Sequence, residues 1–425
     1  MGGFQKIARY KVVQQTIQQL FHQEFSKMVA VISKLYGLSN IQIVEDVVSE
    51  TFLQAAEAWG IEGLPENPAA WLYVVAKRKA LYHFRRKKIF DDKISPELTY
   101  RHQQKQGIPE PDFSLKNIKD SQLQMLFAVC HPVIASEAQI GLALRILCGF
   151  GIDEITEAFL SNKETINKRL YRARKKLRTE NITLEMPPEH EITDRLDNVL
   201  HVIYLLFNEG YYSKTQNQIL QKDLCLEAMR LGLLLTEYEQ TNLPKTNALV
   251  ALMCFHTSRF NARENHPSGM DGLVLYEDQD YELWDTALIK QGMHFLGESA
   301  QGEDISSYHL EAKIAYWHCI KEDTKEKWQD ILHLYNQLLA VNYSPIADLN
   351  RIYALYKAEG VEPALEEARK LKLEDNHFYF VLVGELCREM DPREAKQHYQ
   401  KACSLAKTEA ERELIMGKIN ELEKL

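Results

Sequence analysis

Between Pro65 and Lys88 the chain reads PENPAAWLYVVAKRKALYHFRRKK, with Lys77, Arg78, Lys79, Arg85, Arg86, Lys87 and Lys88 supplying seven positive charges and no acid between Glu66 and Asp91. Trp71, Tyr73, Tyr82 and Phe84 are interleaved with them. Cations hold phosphates while flat rings stack on unpaired bases, so the pattern suits single-stranded or melting DNA. A solvated helix face, with Trp71 packed in a core, is the competing reading. A second segment, residues 149–178, reads GFGIDEITEAFLSNKETINKRLYRARKKLR. It predicts a short helix from Asp153 to Leu160, a turn at Ser161 and Asn162, and a second helix from Lys163 with a Ser/Asn cap and Glu164 in its first turn. Ile155, Phe159, Ile166, Leu170 and Leu177 would join the two helices. That leaves Lys163, Thr165, Asn167, Lys168, Arg169, Arg172, Arg174, Lys175 and Lys176 for duplex DNA, the earlier residues at base edges and the later cations mostly on phosphate. The bland alternative is a helical hairpin with a basic surface.

The elements that must position these segments are helical. Val44, Val47, Val48, Phe52 and Ala55 recur at three- and four-residue steps, and Gly and Pro punctuate the pattern at 37–40 and 60–68. Residues 91–119 are polar, carry Pro96, Pro109 and Pro111, and read as a linker. A second helical unit follows to about Arg178, closed by Pro187 and Pro188, which cannot continue a helix. From Ile192 the periodicity is again helical, interrupted around Asn265–Gly272. Ala395, Tyr399 and Ala402 have the spacing of the second helix of a tetratricopeptide repeat, and Ala364 with Ala368 begins a similar pattern 31 positions earlier. The expected fold is all-α, with domains at 1–90, 120–180 and 190–300, a linker at 91–119 and helical hairpins at 301–425.

Composition narrows the function classes. Hydrophobic residues make up 45% and charged residues 26%, as in a soluble globular chain. Without a long apolar run or a signal-like start, the expected location is the cytoplasm, with no membrane partner. Seven dispersed cysteines form no CxxC pair, and the adjacent Cys130 and His131 point in different directions on a helix, so neither a disulfide framework nor a metal site is expected. Residues 1–180 carry 26 Lys+Arg against 19 Asp+Glu, and the remainder 25 against 41. A basic front suits a polyanion; an acidic back suits a protein contact or an internal brake. No phosphate loop and no nucleophile–base constellation is present, so no cofactor and no catalysis are expected.

Together these segments resemble the extracytoplasmic-function sigma factors of bacterial RNA polymerase. Residues 45–59, EDVVSETFLQAAEAW, resemble sigma region 2.2; residues 65–88 resemble regions 2.3 and 2.4, with Arg78 where Asn is usual and Tyr82 where Asp is usual; residues 120–178 resemble region 4. The resemblance continues through IYLLFNEGYYS (203–213) and MDGLVLYEDQDYELWD (270–285), blocks similar to those of the ECF42-like subgroup, whose long C-terminal extension ends in tetratricopeptide-like repeats; Tyr281 stands where Arg often follows the DQD. It implies a region 2 helical bundle, a region 4 helix-turn-helix domain and a C-terminal repeat-like helical domain. It further implies that Asp46, Glu50 and Phe52 share a face that docks on core polymerase, and that Asn67, Trp71, Lys77, Arg78, Lys79, Arg85 and Arg86 hold the melted minus-10 element. The helix from Lys163 would read the minus-35 element. Asp271, Gly272, Asp278, Gln279, Asp280 and Trp284 would form a regulatory motif, with room for a regulatory partner or ligand of the C-terminal domain. An ordinary helix-turn-helix regulator with a helical effector domain, or a repeat scaffold with basic helices, are the other readings.

Overall fold

A computed structural model describes residues 2–94, 109–211, 218–264, 279–302, 304–406 and 409–423. Among these the regular structure is helical throughout, with no strand, and no helix is long and apolar enough to cross a membrane. The chain divides into two compact units, residues 1–241 and 242–425.

The first unit starts with α1 (Gly2–Tyr36), α2 (Ile41–Glu62) and α3 (Pro68–Ile94). Their apolar stripes close a core in which Phe25, Ile32, Val44, Val48, Leu72 and Ala76 are essentially inaccessible. Gly37, at φ +85°, makes the turn out of α1, a backbone state that a side chain would strain. The segment expected to be a linker is shorter on both sides: α3 runs on to Ile94, residues 95–108 lie outside the described residues, and α4 (Leu115–Val129) begins within it. Ser114 starts α4 by accepting a hydrogen bond from the Asn117 N–H at 3.4 Å.

Next come α5 (Ser136–Leu142), a π-helical turn at Ala143–Leu147, α6 (Ile152–Ala158) and α7 (Lys163–Thr179). The wide turn is fixed by the Cys148 N–H on the Ala143 carbonyl at 3.1 Å. After Pro187 and Pro188, α8 (Glu189–Tyr211) and α9 (Gln218–Thr236) pack on each other and against α4, α5 and α6. The first hairpin of the C-terminal extension thus belongs to the first compact unit.

In the second unit, α10 (Pro244–Ser258) is buried from Thr246 to Phe255 and packs on α12 (Thr286–Glu298) and α13 (Ser307–Trp317), with the short α11 (Phe260–Glu264) beside it. From there α14 (Lys325–Val341), α15 (Pro345–Glu359), α16 (Val361–Lys370), α17 (His377–Cys387), α18 (Pro392–Leu405) and α19 (Glu409–Leu422) pack each on the next. Ala364, Ala368, Ala395, Tyr399 and Ala402 are all fully buried at the seams. Tyr399 lies flush on Gly384, where a Cβ would come within 2.7 Å of its ring, and its hydroxyl donates to Glu385 at 2.7 Å. Burial alone would raise the Glu385 carboxyl pKa, but Lys418, Tyr399 and Arg388 outweigh it and hold the group low. Six of the seven cysteines are buried and Cys403 is partly exposed; none is in a disulfide.

Candidate nucleic-acid interface

On α3 the sequence places cations and rings every few residues, and the helix sorts them by face. Asn67 sits at the helix start, its side-chain oxygen accepting from the Ala70 N–H at 3.0 Å, so its first role is that of a cap. Trp71 is half-buried, edge-on to Trp59 at 5.3 Å. Phe84 belongs to the core, stacked on Tyr36 at 3.9 Å. Tyr82 is 70% exposed, beside exposed Arg78, Arg85 and Arg86. These four offer what a separated strand needs: a ring for a base and cations for its phosphates.

Part of the same face is already occupied. Lys77 pairs with Glu110 at 2.7 Å, and Phe113 stacks on Tyr73 at 4.7 Å with the rings 4° from parallel. The Tyr73 hydroxyl donates to Glu24 at 2.5 Å and the Tyr36 hydroxyl to the Pro109 carbonyl at 3.1 Å. Hydrogen bonding and charge from Lys77 hold the Glu110 carboxyl below its ordinary pKa. Lys79 is turned toward Glu50 at 3.3 Å.

The α6–α7 pair forms as the pattern predicts, with Asn162 capping α7 by accepting from the Thr165 N–H at 2.8 Å. Ile155, Ile166, Leu170 and Leu177 are buried between the helices and their neighbours. Lys163, Thr165, Asn167, Lys168, Arg172, Lys175 and Lys176 are exposed. Lys163 pairs with Asp153 at 2.5 Å and Lys168 with Glu164 at 2.6 Å, whereas Arg172, Lys175 and Lys176 make no ion pair among the described residues. Two expected DNA contacts point elsewhere. Arg169 is half-buried on Glu137 at 2.9 Å, and Arg174 reaches away from the exposed face to Glu45 of α2 at 2.7 Å.

On α2, Asp46 and Glu50 are exposed one turn apart, as expected of a docking face. Phe52 does not share it. Six residues from Asp46 is about 240° around an α-helix, and Phe52 is 4% exposed with its ring 4.9 Å from Phe21. Nothing in the sequence singles out Glu45, yet this carboxylate is 4% exposed and accepts from both Arg145 (3.0 Å) and Arg174. Its partners lie 100 and 129 residues away, beyond the reach of any local pattern.

Of the expected regulatory motif, Asp271, Gly272 and Asp278 lie outside the described residues. Gln279 is buried; Asp280 accepts from the Glu282 N–H at 2.9 Å; Trp284 is 5% exposed and edge-on to Tyr281. Asp285 caps α12 through the Ala287 and Leu288 N–H groups. The two described aspartates therefore serve as helix and turn caps. Cys387, Glu394 and His398 each bring a ligand atom to within 4.8 Å of the others, but burial raises the Cys387 thiol pKa, which opposes the thiolate that a metal requires.

Residues 20–89 match sigma-70 region 2, and residues 195–300 match a family of unknown function (DUF6596). The chain is 30% identical over 387 residues to the uncharacterized protein R00370 of Rhizobium meliloti (strain 1021), covering 90% of each chain. No solved structure matches it.

Proposed function

Because the chain belongs to the sigma-factor family, with region 2 followed by a long C-terminal extension, we propose that it is an extracytoplasmic-function sigma factor. In this reading Asp46 and Glu50 dock on core polymerase. Trp71, Arg78, Tyr82, Arg85 and Arg86 hold the melted minus-10 strand, with Lys77 and Lys79 joining once freed from Glu110 and Glu50. Thr165 and Asn167 at the start of α7 read minus-35 base edges, while Arg172, Lys175 and Lys176 grip phosphate. The observation that carries the reading is the coincidence of the region 2 match with the exposed cation-and-ring face of α3.

The acidic second unit is the proposed regulatory part, acting through a partner or ligand of its own. For such a ligand to act as a switch it must bind competent and incompetent forms with different affinity.

The test is reconstitution. The purified chain, added to core RNA polymerase on a genomic fragment library, should produce transcripts from a shared set of start sites, and the pair Asp46→Arg with Glu50→Arg should abolish polymerase association at unchanged helicity. A chain that binds duplex DNA but directs no initiation would be an ordinary helix-turn-helix regulator. Neither DNA binding nor initiation would leave only a repeat scaffold.

A further inference from the structure

The Glu45 bridge joins the two DNA-facing parts of the first unit. One oxygen accepts from Arg145 at 3.0 Å and from Arg174 at 2.9 Å, and the other meets Arg174 at 2.7 Å; all three side chains are mostly out of solvent. Arg145 comes from the π-helical turn after α5, donates also to the Phe150 carbonyl at 3.0 Å, and lies over the Phe25 ring of α1. Gly149, at φ +74°, brings this turn against Phe21 and Phe25. Lys34 of α1 donates to Asn117 of α4 at 3.1 Å. On the far side α8 and α9 tie down the same region: Arg230 donates to the Leu147 carbonyl at 2.7 Å, Arg195 to that of Phe127 at 2.9 Å, and Tyr238 to Asp120 at 2.9 Å.

This arrangement is too short for a promoter. Positions −35 and −10 are about 25 base pairs apart, or about 85 Å of duplex at roughly 3.4 Å per pair. Helices α2 and α7 are instead bonded to each other through one carboxylate, and Glu110 and Phe113, just before α4, are fastened to Lys77 and Tyr73 of α3. A buried carboxylate shared by two guanidiniums is costly to leave half-paired, which makes the contact all-or-none.

We propose that Glu45 is a latch that holds the first unit in a closed, promoter-incompetent form, and that initiation requires it to release Arg145 and Arg174 together. Release frees Arg174 for the phosphate-gripping end of α7. Glu45 and Asp46 are neighbours on α2 about 100° apart around the helix, so a polymerase seated on the Asp46–Glu50 face bears on the element that carries the latch. The proposal rests on the sigma-factor reading for its purpose, but the closed form itself is a property of the free chain.

The full-length chain provides the test. Dyes on Gln54→Cys of α2 and Thr179→Cys of α7, in a Cys403→Ser background whose other six thiols are buried, report the closed form by energy transfer without polymerase. Glu45→Gln should lower the transfer and, in the unlabelled chain, tighten duplex binding by the factor by which the closed form is favoured, about tenfold for a 10:1 preference. Arg174→Gln, on the α7 side of the bridge, is the second variant and should lower the transfer as well. Unchanged transfer in both variants overturns the latch, whatever polymerase does. Lowered transfer in the variants with no initiation by the unmodified chain would retain the latch and remove the sigma-factor reading.

Discussion

The exposed cations of α7 allow a quantitative test of the proposal that this helix grips phosphate. Arg172 and Lys175 are exposed and make no ion pair among the described residues, so each can neutralise a phosphate without giving up an existing partner. Each such contact contributes about 0.9 to the slope of log affinity against log salt. Replacing both by Ala should therefore flatten the slope by about 1.8. Between 50 and 200 mM salt the double variant should lose roughly twelvefold less affinity than the parent chain, while binding more weakly at 50 mM. Lys163 and Lys168 already sit on Asp153 and Glu164 at 2.5 and 2.6 Å, and binding there exchanges one ion pair for another. Their Ala variants should change the slope less. Fluorescence anisotropy with a non-specific 30-base-pair duplex needs no knowledge of the promoter and measures all four. Equal slope changes for the two pairs would refute the argument, as would an unchanged slope for Arg172→Ala with Lys175→Ala.

Three further outcomes follow from packing and protonation. Gly384→Ala pushes a methyl to 2.7 Å from the fully buried Tyr399 ring and should destabilise the hairpin array by about 1–3 kcal/mol; an unchanged urea midpoint would count against the seam. Burial, with Arg259 and Lys327 adding to it, lowers the His318 pKa to about 3, and His256 is pushed well below its ordinary value for like reasons. Unfolded histidines bind protons near pH 6.5, so this contribution to stability is complete above that pH and is lost as pH falls from 6.5 toward 3. Thermal midpoints that stay level between pH 6.5 and 5.5, where unfolded carboxylates bind few protons, would contradict it. Finally, a chain ending at Thr241 keeps α8 and α9 on α4–α6 and should fold cooperatively, whereas one ending at Pro188 exposes the apolar faces they cover and should aggregate; equal solubility and melting of the two would refute the division.

Much of this was legible in the sequence because it depends on local rules. The start of α7 follows from Asn162 followed by Lys-Glu-Thr, and the seams of the C-terminal array from Ala and Tyr at helical spacing. The start of α4 is hidden because Ser114 lies in a polar, proline-containing stretch that has the composition of a linker. For Phe52 the family resemblance and the periodicity conflict: the resemblance implies a shared face with Asp46 and Glu50, whereas the 3.6-residue period sets Phe52 on the apolar stripe with Val44 and Val48, and the structure follows the period. Glu45 could not be read at all: an acid beside Asp46 looks like one more solvated charge until residues 145 and 174 arrive from elsewhere in the fold. The aspartates of the DQD block were ambiguous for the opposite reason, since capping and ligand binding draw on the same short acidic side chain.

The placement of the cysteines bears on how the protein meets oxidants. Thiolates attack peroxides and disulfides, and burial raises the pKa of the Cys130, Cys148, Cys254, Cys319 and Cys387 thiols while sealing them from reagents; Cys225 is sealed as well. Only Cys403, on the surface of α18, remains within reach of a reagent in the folded chain. Brief alkylation of the native protein should add a single label, and six more once it unfolds, so mass spectrometry of the labelled chain doubles as a count of folded molecules. Under mild oxidation, any disulfide between folded chains must pass through that one position, and α3 and α7, which hold no cysteine, take no part in it.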